Sequence, residues 1–252
     1  MERDKLYLES LQRSVLSALP HATCQLFQRV SEARPVAREV VFTLFVCGIE
    51  AVDGDTVDLI SECLAPECVN RAVLVIVPRA DPRIGAMVHA STSGGAFDSS
   101  TEDPRNFASV VKQVMSGRSY CSPSCRSTAK AFRIARERIS ILTPTERLVL
   151  ALIGDGCDDR TASERIGMKP SSIQAVRKSI HGKLNICQKG ELVNVAAQCG
   201  FVRVSGAGVT PVGLGILLAE YQARSKRPLP MPPRLAAEYP AAVEAAARRR
   251  LS

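Results

Sequence analysis

The sequence of 252 residues contains no tryptophan, and aromatic residues make up only 4% of it. So few aromatic side chains argue against a stacking platform for single-stranded nucleic acid. No apolar run approaches the roughly 20 residues that a transmembrane helix requires, and the N-terminal segment MERDKLYLES lacks the apolar stretch of a signal peptide. These absences predict a soluble, cytoplasmic protein that does not cross a membrane.

Histidine is also scarce, and no catalytic motif is recognisable. The three histidines are His21, His89 and His181. None of them forms, with a cysteine or a serine, a motif that nucleophilic catalysis would need. The nine cysteines are scattered, and we expect them to be reduced thiols in the cytoplasm. The pairs Cys63–Cys68 and Cys121–Cys125 have loose spacings, which favour isolated cysteines over a zinc site, so we expect no bound metal. Because no catalytic motif is present either, we expect no enzyme activity and no cofactor.

Positive charge is concentrated in the second half of the chain. The net charge is +8, although residues 1–124 carry 12 basic and 15 acidic side chains. Residues 125–202 carry 13 basic and 7 acidic side chains, and residues 203–252 carry 8 and 3. This asymmetry favours a C-terminal half that binds a polyanion; a solvated basic surface is the alternative that charge alone leaves open.

The N-terminal half alternates helical and strand-like segments. Two continuous apolar runs, at 39–49 and 72–78, are typical of strands buried on both faces, and the alternation in 22–30 indicates a further strand. The predicted helices include residues 4–18, 55–64 and 103–117. Short buried strands that alternate with helices predict an α/β domain with a parallel sheet over residues 1–122.

The pattern changes after this domain. Residues 123–140 are polar and basic, and they are predicted to form a linker that could be helical in part. Residues 141–202 show only helical periodicity. Residues 203–252 are rich in proline, glycine and alanine, so a flexible basic tail is predicted.

Residues 141–202 carry clear signals for consecutive helices. The segment from Thr143 to Glu146 is a capping box with proline at the first helical position. Gly167 ends a second helix and Pro170 begins a third. The apolar face of that third helix consists of Ile173, Val176, Ile180 and Leu184. A short glycine-containing turn before a helix with polar and basic outer residues is typical of a helix-turn-helix, whose second helix fits the major groove of B-DNA.

The residues from Leu142 to Leu184 resemble the LuxR-type, NarL/FixJ-like helix-turn-helix family. With the predicted fourth helix, the likeness extends over about 60 residues of the segment 141–202. The matching positions include Leu142, Thr143, Glu146, Leu150, Gly156, Gly167, Ile180, Lys183 and Leu184. The resemblance implies four helices and binding of double-stranded DNA as a homodimer. The chain departs from the family at Lys169, where the usual residue is a serine cap, and at Val176, where it is a histidine.

The same resemblance implies roles for individual residues. The positions that read bases are Gln174, Ala175, Lys178 and Ser179. The positions that contact phosphates are Ser172, Arg177 and Lys183, joined by Lys169, whose ammonium would lie beside a phosphate. The helix that would form the dimer carries Glu191, Val195 and Cys199.

The N-terminal half resembles the phosphoacceptor receiver domains that often precede this helix-turn-helix, and the segment 93–123 is similar to the end of such a domain. Receiver chemistry requires a carboxylate at the end of the third strand, an acidic pair that holds Mg²⁺, and a lysine at the last strand. The acceptor position falls at Val46 or Cys47, and the lysine position near Asp98 or Ser99. We therefore expect a pseudo-receiver that takes no phosphoryl group by the usual route.

The first strand of a receiver also has no counterpart in the sequence. Its absence would expose a sheet edge and an apolar face. Three alternatives remain open: a protein partner covers this edge, the protein dimerises through it, or the chain begins further upstream.

The fold class predicted is therefore α/β, a truncated doubly wound receiver-like parallel sheet, followed by an all-α four-helix helix-turn-helix domain. The predicted function is a bacterial, sequence-specific DNA-binding transcription regulator that acts independently of phosphorylation and lies at the nucleoid when it is bound to DNA. One alternative is a co-regulator or anti-activator that contacts another protein and no longer binds DNA. Another is a response regulator phosphorylated at a non-standard carboxylate, with Glu50, Asp53 and Asp55 nearby.

Overall fold

The computed structural model describes residues 1, 4–64, 71–78, 81–90, 94–154, 156–205, 208–224, 236 and 239. The chain divides into two compact units, Met1–Arg133 and Ile134–Ser252. Each unit has its own hydrophobic core. None of the helices in the described ranges is long and apolar enough to cross a membrane.

The first unit is a parallel sheet with helices on both faces. Its helices are α1 (Lys5–Ala18), α2 (Val30–Glu39), α3 (Val57–Cys63), α4 (Pro82–Ala90), α5 (Phe107–Met115, after a 3-10 turn at Pro104–Asn106) and the start of α6 (Pro123–Arg138). Its strands are β1 (Leu44–Gly48), β2 (Glu50–Ala51), β3 (Gly54–Asp55), β4 (Ala72–Val77), β5 (Gly94–Asp98) and β6 (Tyr120–Cys121). The main sheet has the order β1-β4-β5-β6 with parallel pairs, and β2 and β3 form a small antiparallel ribbon.

The sheet is covered on both faces because its inner strand β4 is apolar throughout. All six residues of β4 are buried. Leu74 and Ile76 lie in one core cluster with residues of α1 and α5, as alternation along a strand requires. In this cluster the rings of Phe97 and Phe107 meet edge to face with centroids 5.4 Å apart.

One segment of the first unit differs from the sequence prediction. Residues 22–29 form no strand, and α2 begins at Val30. The reason is a local cap, because the carboxylate of Asp53 accepts hydrogen bonds from the amides of Val30 and Ser31. The predicted linker at 123–140 contains the helix α6, which begins at a proline and buries Cys125 and Phe132.

The second unit is built around one buried helix. Its elements, besides the end of α6, are α7 (Pro144–Gly154), α8 (Asp159–Ile166), α9 (Pro170–Leu184), α10 (Lys189–Gln198), β7 (Val202–Ser205), β8 (Gly208–Pro211) and α11 (Leu214–Arg224). Residues Leu148 to Leu152 of α7 are fully buried. Gly154 allows α10 to approach, because a Cβ atom there would lie 2.4 Å from the Cβ of Ala196.

The prediction of a flexible tail from residue 203 is wrong for the residues up to 224. The strands β7 and β8 pair as an antiparallel hairpin. Four residues of α11 join the core of the unit: Leu214, Leu217, Leu218 and Tyr221. Arg147 of α7 and Glu220 of α11 form an ion pair at 2.5 Å. The hairpin and α11 thus add to the four predicted helices; of the tail beyond 224, only residues 236 and 239 are among the described residues.

Candidate DNA-binding surface

The turn between α8 and α9 is held by local contacts. Asp158 caps α8, because its carboxylate accepts a hydrogen bond from the amide of Thr161 at 2.7 Å. Gly167 ends α8 in the left-handed conformation with φ 71°. The hydroxyl of Ser163 donates to the carbonyl of Met168, and Pro170 then starts α9. The predicted helix-turn-helix is present with the predicted start and end signals.

One side of α9 packs into the core and the other is exposed. Ile173, Ile180 and Leu184 are buried. The exposed residues of the helix up to Lys178 are Pro170, Ser171, Gln174, Ala175 and Lys178, and Lys169 is exposed just before it. In the described part of the chain, no carboxylate forms an ion pair with Lys169 or Lys178. These two ammonium groups are therefore available to an external anion.

The N-terminus of α9 adds to this positive potential. The first turn contains no acidic residue, and Lys169 at the N-cap makes no side-chain capping hydrogen bond. The helix dipole places partial positive charge at this end of the helix. A phosphate group is the kind of ligand that such a terminus binds.

A buried carboxylate beneath α9 holds its C-terminal half. Glu146 is 5% exposed, and it accepts hydrogen bonds from the hydroxyl of Ser179 at 2.7 Å and the ammonium of Lys183 at 2.8 Å. It also closes the predicted capping box with Thr143. Burial alone would raise the pKa of Glu146, but the hydrogen bonds from Lys183, Thr143 and Ser179 outweigh it and hold this pKa below its usual value.

Three of the residues predicted to contact DNA therefore make contacts inside the unit. Ser179 and Lys183 bind Glu146. The guanidinium of Arg177 is paired with the carboxylate of Asp159 in α8, and both side chains are largely buried. Ser172 is half-buried. The predicted residues that the structure leaves exposed are Lys169, Gln174, Ala175, Lys178 and Lys183, of which Lys183 is paired with Glu146.

Two of the three side chains predicted to form a dimer on α10 are buried, so the prediction is wrong for Val195 and Cys199. Val195 is 4% exposed and Cys199 is 1% exposed. The thiol of Cys199 donates to the carbonyl of Ala135, and burial raises its pKa to about 11. The remaining predicted residue, Glu191, forms a capping box with Gln188 at the start of α10. The exposed residues of α10 with described side chains are Gly190, Glu191, Asn194 and Gln198.

The carboxylates near the phosphoacceptor position of the first unit serve as caps. Asp53 accepts hydrogen bonds from the amide of Val30 at 2.7 Å and from the amide and hydroxyl of Ser31 at 3.0 and 2.7 Å. Burial would raise the pKa of Asp53, but these hydrogen bonds outweigh it and lower the pKa. Asp55 likewise accepts from the amide of Val57 at 2.9 Å. The predicted acceptor positions are apolar or sulfur-bearing, since they hold Val46 and Cys47.

The position where a receiver carries its lysine also holds no cation. Asp98 at the end of β5 is 1% exposed, and its carboxylate accepts from the hydroxyls of Ser100 and Ser124, each at 2.6 Å. The following residue, Ser99, donates to the carbonyl of Val77. Among the described residues, no group of histidine, cysteine or carboxylate side chains could hold a metal ion.

Solved structures of known proteins are similar to this chain. No family model and no curated protein matches the chain. RcsB from Salmonella enterica serovar Typhimurium, solved bound to the promoter P1flhDC with the phosphomimetic BeF3-, is 14% identical with a TM-score of 0.50, and the match covers 78% of this chain and 95% of RcsB. The same protein bound to the promoter rprA is also 14% identical with a TM-score of 0.50, and that match covers 77% of this chain and 94% of RcsB.

The chain has the two-part fold of RcsB. A match over 95% of that protein includes both the α/β unit and the helix-turn-helix unit. Full-length FixJ from B. japonicum is a further match at 18% identity with a TM-score of 0.36, over 80% of this chain and 96% of FixJ. The parallel sheet and the match with RcsB confirm the predicted fold class, a receiver-like parallel sheet followed by a helix-turn-helix domain.

Proposed function

We propose that this protein is a sequence-specific, double-stranded DNA-binding transcription regulator of the cytoplasm, which lies at the nucleoid when it is bound to DNA. In this proposal residues 1–122 form the pseudo-receiver, α6 in 123–140 connects it to the DNA-binding part, and the hairpin and α11 belong with residues 141–202. The observation that carries the proposal is the exposed side of α9, where Gln174 and Lys178 stand beside a helix terminus without acidic residues.

The exposed residues divide into two roles. Gln174 and Lys178 are long donors separated by one helical turn, so they project from the same side of α9 and can both reach base edges in a major groove. Ala175 is small and lets the helix approach the bases. Lys169 precedes the helix, and together with the positive end of the helix dipole it is placed to bind a phosphate that fixes the register of the helix on DNA.

The residues engaged inside the unit support recognition by holding the helix. Ser179 and Lys183 join α9 to α7 through Glu146, and Arg177 joins α9 to α8 through Asp159. Specific base contacts require a helix whose orientation is held by packing and by hydrogen bonds. In this proposal Arg177, Ser179 and Lys183 are therefore positioning residues, and Ser172 remains a candidate phosphate contact.

Phosphorylation has no place in the proposed activity. The acceptor positions hold Val46 and Cys47, and the nearby Asp53 has its carboxylate occupied by the amides and hydroxyl of α2. A phosphoryl group on Asp53 would remove this helix cap. The signal that controls DNA binding is therefore proposed to act through a partner, the oligomeric state or the abundance of the protein.

The proposal includes a homodimer on DNA, because paired half-sites are the common way for a helix-turn-helix to gain affinity and specificity. With Val195 and Cys199 buried, the outer side of α10 offers Glu191, Asn194 and Gln198 instead. A contact through these residues would be polar.

A co-regulator that binds another protein and not DNA is the second candidate. The observation that favours it is the internal pairing of Arg177 and Lys183, because two of the predicted phosphate contacts are already neutralised by carboxylates. Such a protein would retain the fold of the helix-turn-helix but would show only weak, sequence-independent attraction to DNA.

Selection of DNA from a random double-stranded pool, followed by titration of the full chain at two salt concentrations, distinguishes the candidates. A DNA-binding regulator enriches a defined sequence and binds it ~1,000-fold or more tightly than a scrambled duplex at the same salt concentration. A co-regulator enriches no sequence, and its residual affinity falls with added salt equally for every duplex.

A further inference from the structure

Two cysteines, Cys121 and Cys125, lie at the junction between β6 and α6. Cys121 ends β6, the last strand in the order of the main sheet, and Cys125 lies in the first turn of α6. Both are free thiols, and they are hydrogen-bonded to each other. The sequence prediction of isolated cysteines is therefore wrong for this pair, because the fold brings the two sulfur atoms together.

Hydrogen bonds to β5 hold this junction in place. The amide of Ser122 donates to the carbonyl of Ala96 at 3.0 Å, and the hydroxyl of Ser122 accepts from the amide of Asp98 at 2.9 Å. Next to Cys125, the hydroxyl of Ser124 donates to the carboxylate of Asp98 at 2.6 Å. The end of the strand and the start of the helix are both anchored on β5, so the contact between the two thiols is part of the fold.

The two thiols differ in exposure and in the charges around them. Cys125 is fully buried, whereas Cys121 is half-buried beside Arg126, whose Nε donates to the carbonyl of Cys121 at 2.8 Å. The hydrogen bond from Cys125 and the charge of Arg126 outweigh burial and lower the pKa of Cys121. The hydrogen bond to Cys121, burial and the charge of Asp98 raise the pKa of Cys125. Cys121 is thus the thiol that ionises first, and Cys125 keeps its proton.

A metal site does not account for this pair. Zinc in proteins is held by four side chains in structural sites and by three in catalytic sites. In the described part of the chain, no group of three or more histidine, cysteine or carboxylate side chains could hold a metal ion. A thiol that ionises readily, with a second thiol in contact, is instead the arrangement found in cysteine pairs that respond to oxidants.

We propose that Cys121 and Cys125 are a modification site, at which a hydroperoxide such as hydrogen peroxide forms a reversible disulfide. The thiolate of Cys121 attacks one oxygen of hydrogen peroxide, the O–O bond breaks, and hydroxide leaves and takes up the proton that the thiol had lost. The sulfur of Cys125 then attacks the sulfenic acid on Cys121, and its proton leaves with the hydroxyl group as a second water. Two thiols lose two electrons and one peroxide becomes two waters. The inference does not depend on DNA binding by the second unit.

The disulfide would join the edge of the sheet covalently to the first turn of α6. Sulfur atoms in a disulfide are about 2.05 Å apart, so the two hydrogen-bonded atoms must move closer together. Cys125 has little room to move, because its carbonyl would lie 2.7 Å from a Cβ added at Gly85 of α4. Cys121 lies in a strand of only two residues at the side of the sheet, so most of the movement falls to it.

Peptide mapping of the full chain tests the proposal. The protein is treated with hydrogen peroxide, unfolded in iodoacetamide and digested with trypsin. The tryptic peptide SYCSPSCR, residues 119–126, contains both cysteines of the pair and no other cysteine. After peroxide we expect this peptide to carry no alkyl group and to be lighter than the reduced peptide by two hydrogen atoms. Treatment with dithiothreitol before alkylation should restore a peptide with two alkyl groups.

Three variants assign the roles of the two thiols. In Cys125→Ser the sulfenic acid on Cys121 has no resolving partner, so dimedone should trap it. In Cys121→Ser the remaining thiol is buried, and it should react with peroxide at least ~10-fold more slowly than Cys121 does. Cys187→Ser, which changes an exposed cysteine of the second unit, is the matched control and should form the disulfide as the wild type does.

The fold itself must speed the reaction. In concentrated urea the same disulfide should form at least ~10-fold more slowly than in the folded protein, because the contact and the low pKa of Cys121 are lost. Equal rates in the folded and unfolded protein would overturn the proposal. So would two alkyl groups on the wild-type peptide after peroxide, or a disulfide from Cys121 to a different cysteine. None of these measurements involves DNA, so failure here is distinguishable from failure of the proposed function.

Discussion

The ammonium of Lys183, in the last turn of α9, lies 2.8 Å from the carboxylate of Glu146 in the first turn of α7. Glu146 also accepts a hydrogen bond from Ser179 and closes the capping box of α7. One buried carboxylate thus caps one helix and orients another. The proposed recognition helix is therefore held by a group that lies outside its own sequence.

Replacement of Glu146 by alanine should destabilise the protein by roughly 2–3 kcal/mol, because a cap is lost and Ser179 and Lys183 lose the acceptor that holds them. Denaturant unfolding of the full chain, followed by circular dichroism, measures the loss. The matched control is Glu164→Ala, whose partner Arg160 is 84% exposed, and this change should stay within about 0.5 kcal/mol. Equal effects of the two changes would show that the Glu146 contacts contribute nothing.

The stability of the second unit should decrease in acid. The pKa of Glu146 in the folded protein is lowered from its ordinary value of 4.5, so the stabilisation is complete above that value. It is lost as the pH falls from about 4.5 through the lower folded pKa, because the unfolded state then binds more protons. Unfolding midpoints measured between about pH 3 and pH 7 test this. Glu146→Gln should reduce the loss of stability at low pH. An unchanged loss would contradict the assignment of this pH dependence to Glu146.

Gly154→Ala should destabilise the second unit by about 1–3 kcal/mol, because the new Cβ would lie 2.4 Å from the Cβ of Ala196. Gly182 in α9 is the matched control, since a Cβ added there meets no atom within 4 Å. Gly182→Ala should stabilise the helix by roughly 0.5–1 kcal/mol. Thermal unfolding compares them, and the double change Gly154→Ala with Ala196→Gly should recover most of the loss. Equal melting temperatures for Gly154→Ala and the wild type would show that α7 and α10 are not in this close contact.

Asp53→Ala should destabilise the first unit by roughly 1–2 kcal/mol through loss of the α2 cap. Incubation with acetyl phosphate should label neither the wild type nor this variant, as intact-mass measurement will show. A wild-type protein that gains a phosphoryl group, and loses it on Asp53→Ala, would establish the alternative of phosphorylation at a non-standard carboxylate.

Local signals in the sequence predicted much of this structure. The capping box from Thr143 to Glu146, the left-handed Gly167 and the proline at the start of α9 depend on neighbouring residues, and the structure has each of them. The apolar run at 72–78, which contains β4, could also be predicted from local sequence, because a strand buried on both faces is apolar at every position.

Contacts between residues far apart in the sequence could not be predicted in the same way. Lys183 and Glu146 are separated by 37 residues, and the basic pattern of α9 suits a phosphate contact as well as it suits an internal ion pair. The helix α11 was missed because glycine and proline surround it and suggest a flexible tail. Val195 and Cys199 were assigned to a dimer surface by resemblance, but residues beyond 200 complete the core in which both are buried.

The central claim is that the exposed side of α9 reads DNA sequence, and it is tested by titrating wild type, Lys178→Ala and Lys112→Ala against the selected duplex and a scrambled one. Lys112 is an exposed lysine of α5 and serves as the control for loss of one positive charge. We expect Lys178→Ala to weaken binding to the selected duplex by about 10-fold or more and to reduce its preference over the scrambled one, with Lys112→Ala unchanged. Equal affinities of all three proteins for both duplexes would contradict the claim.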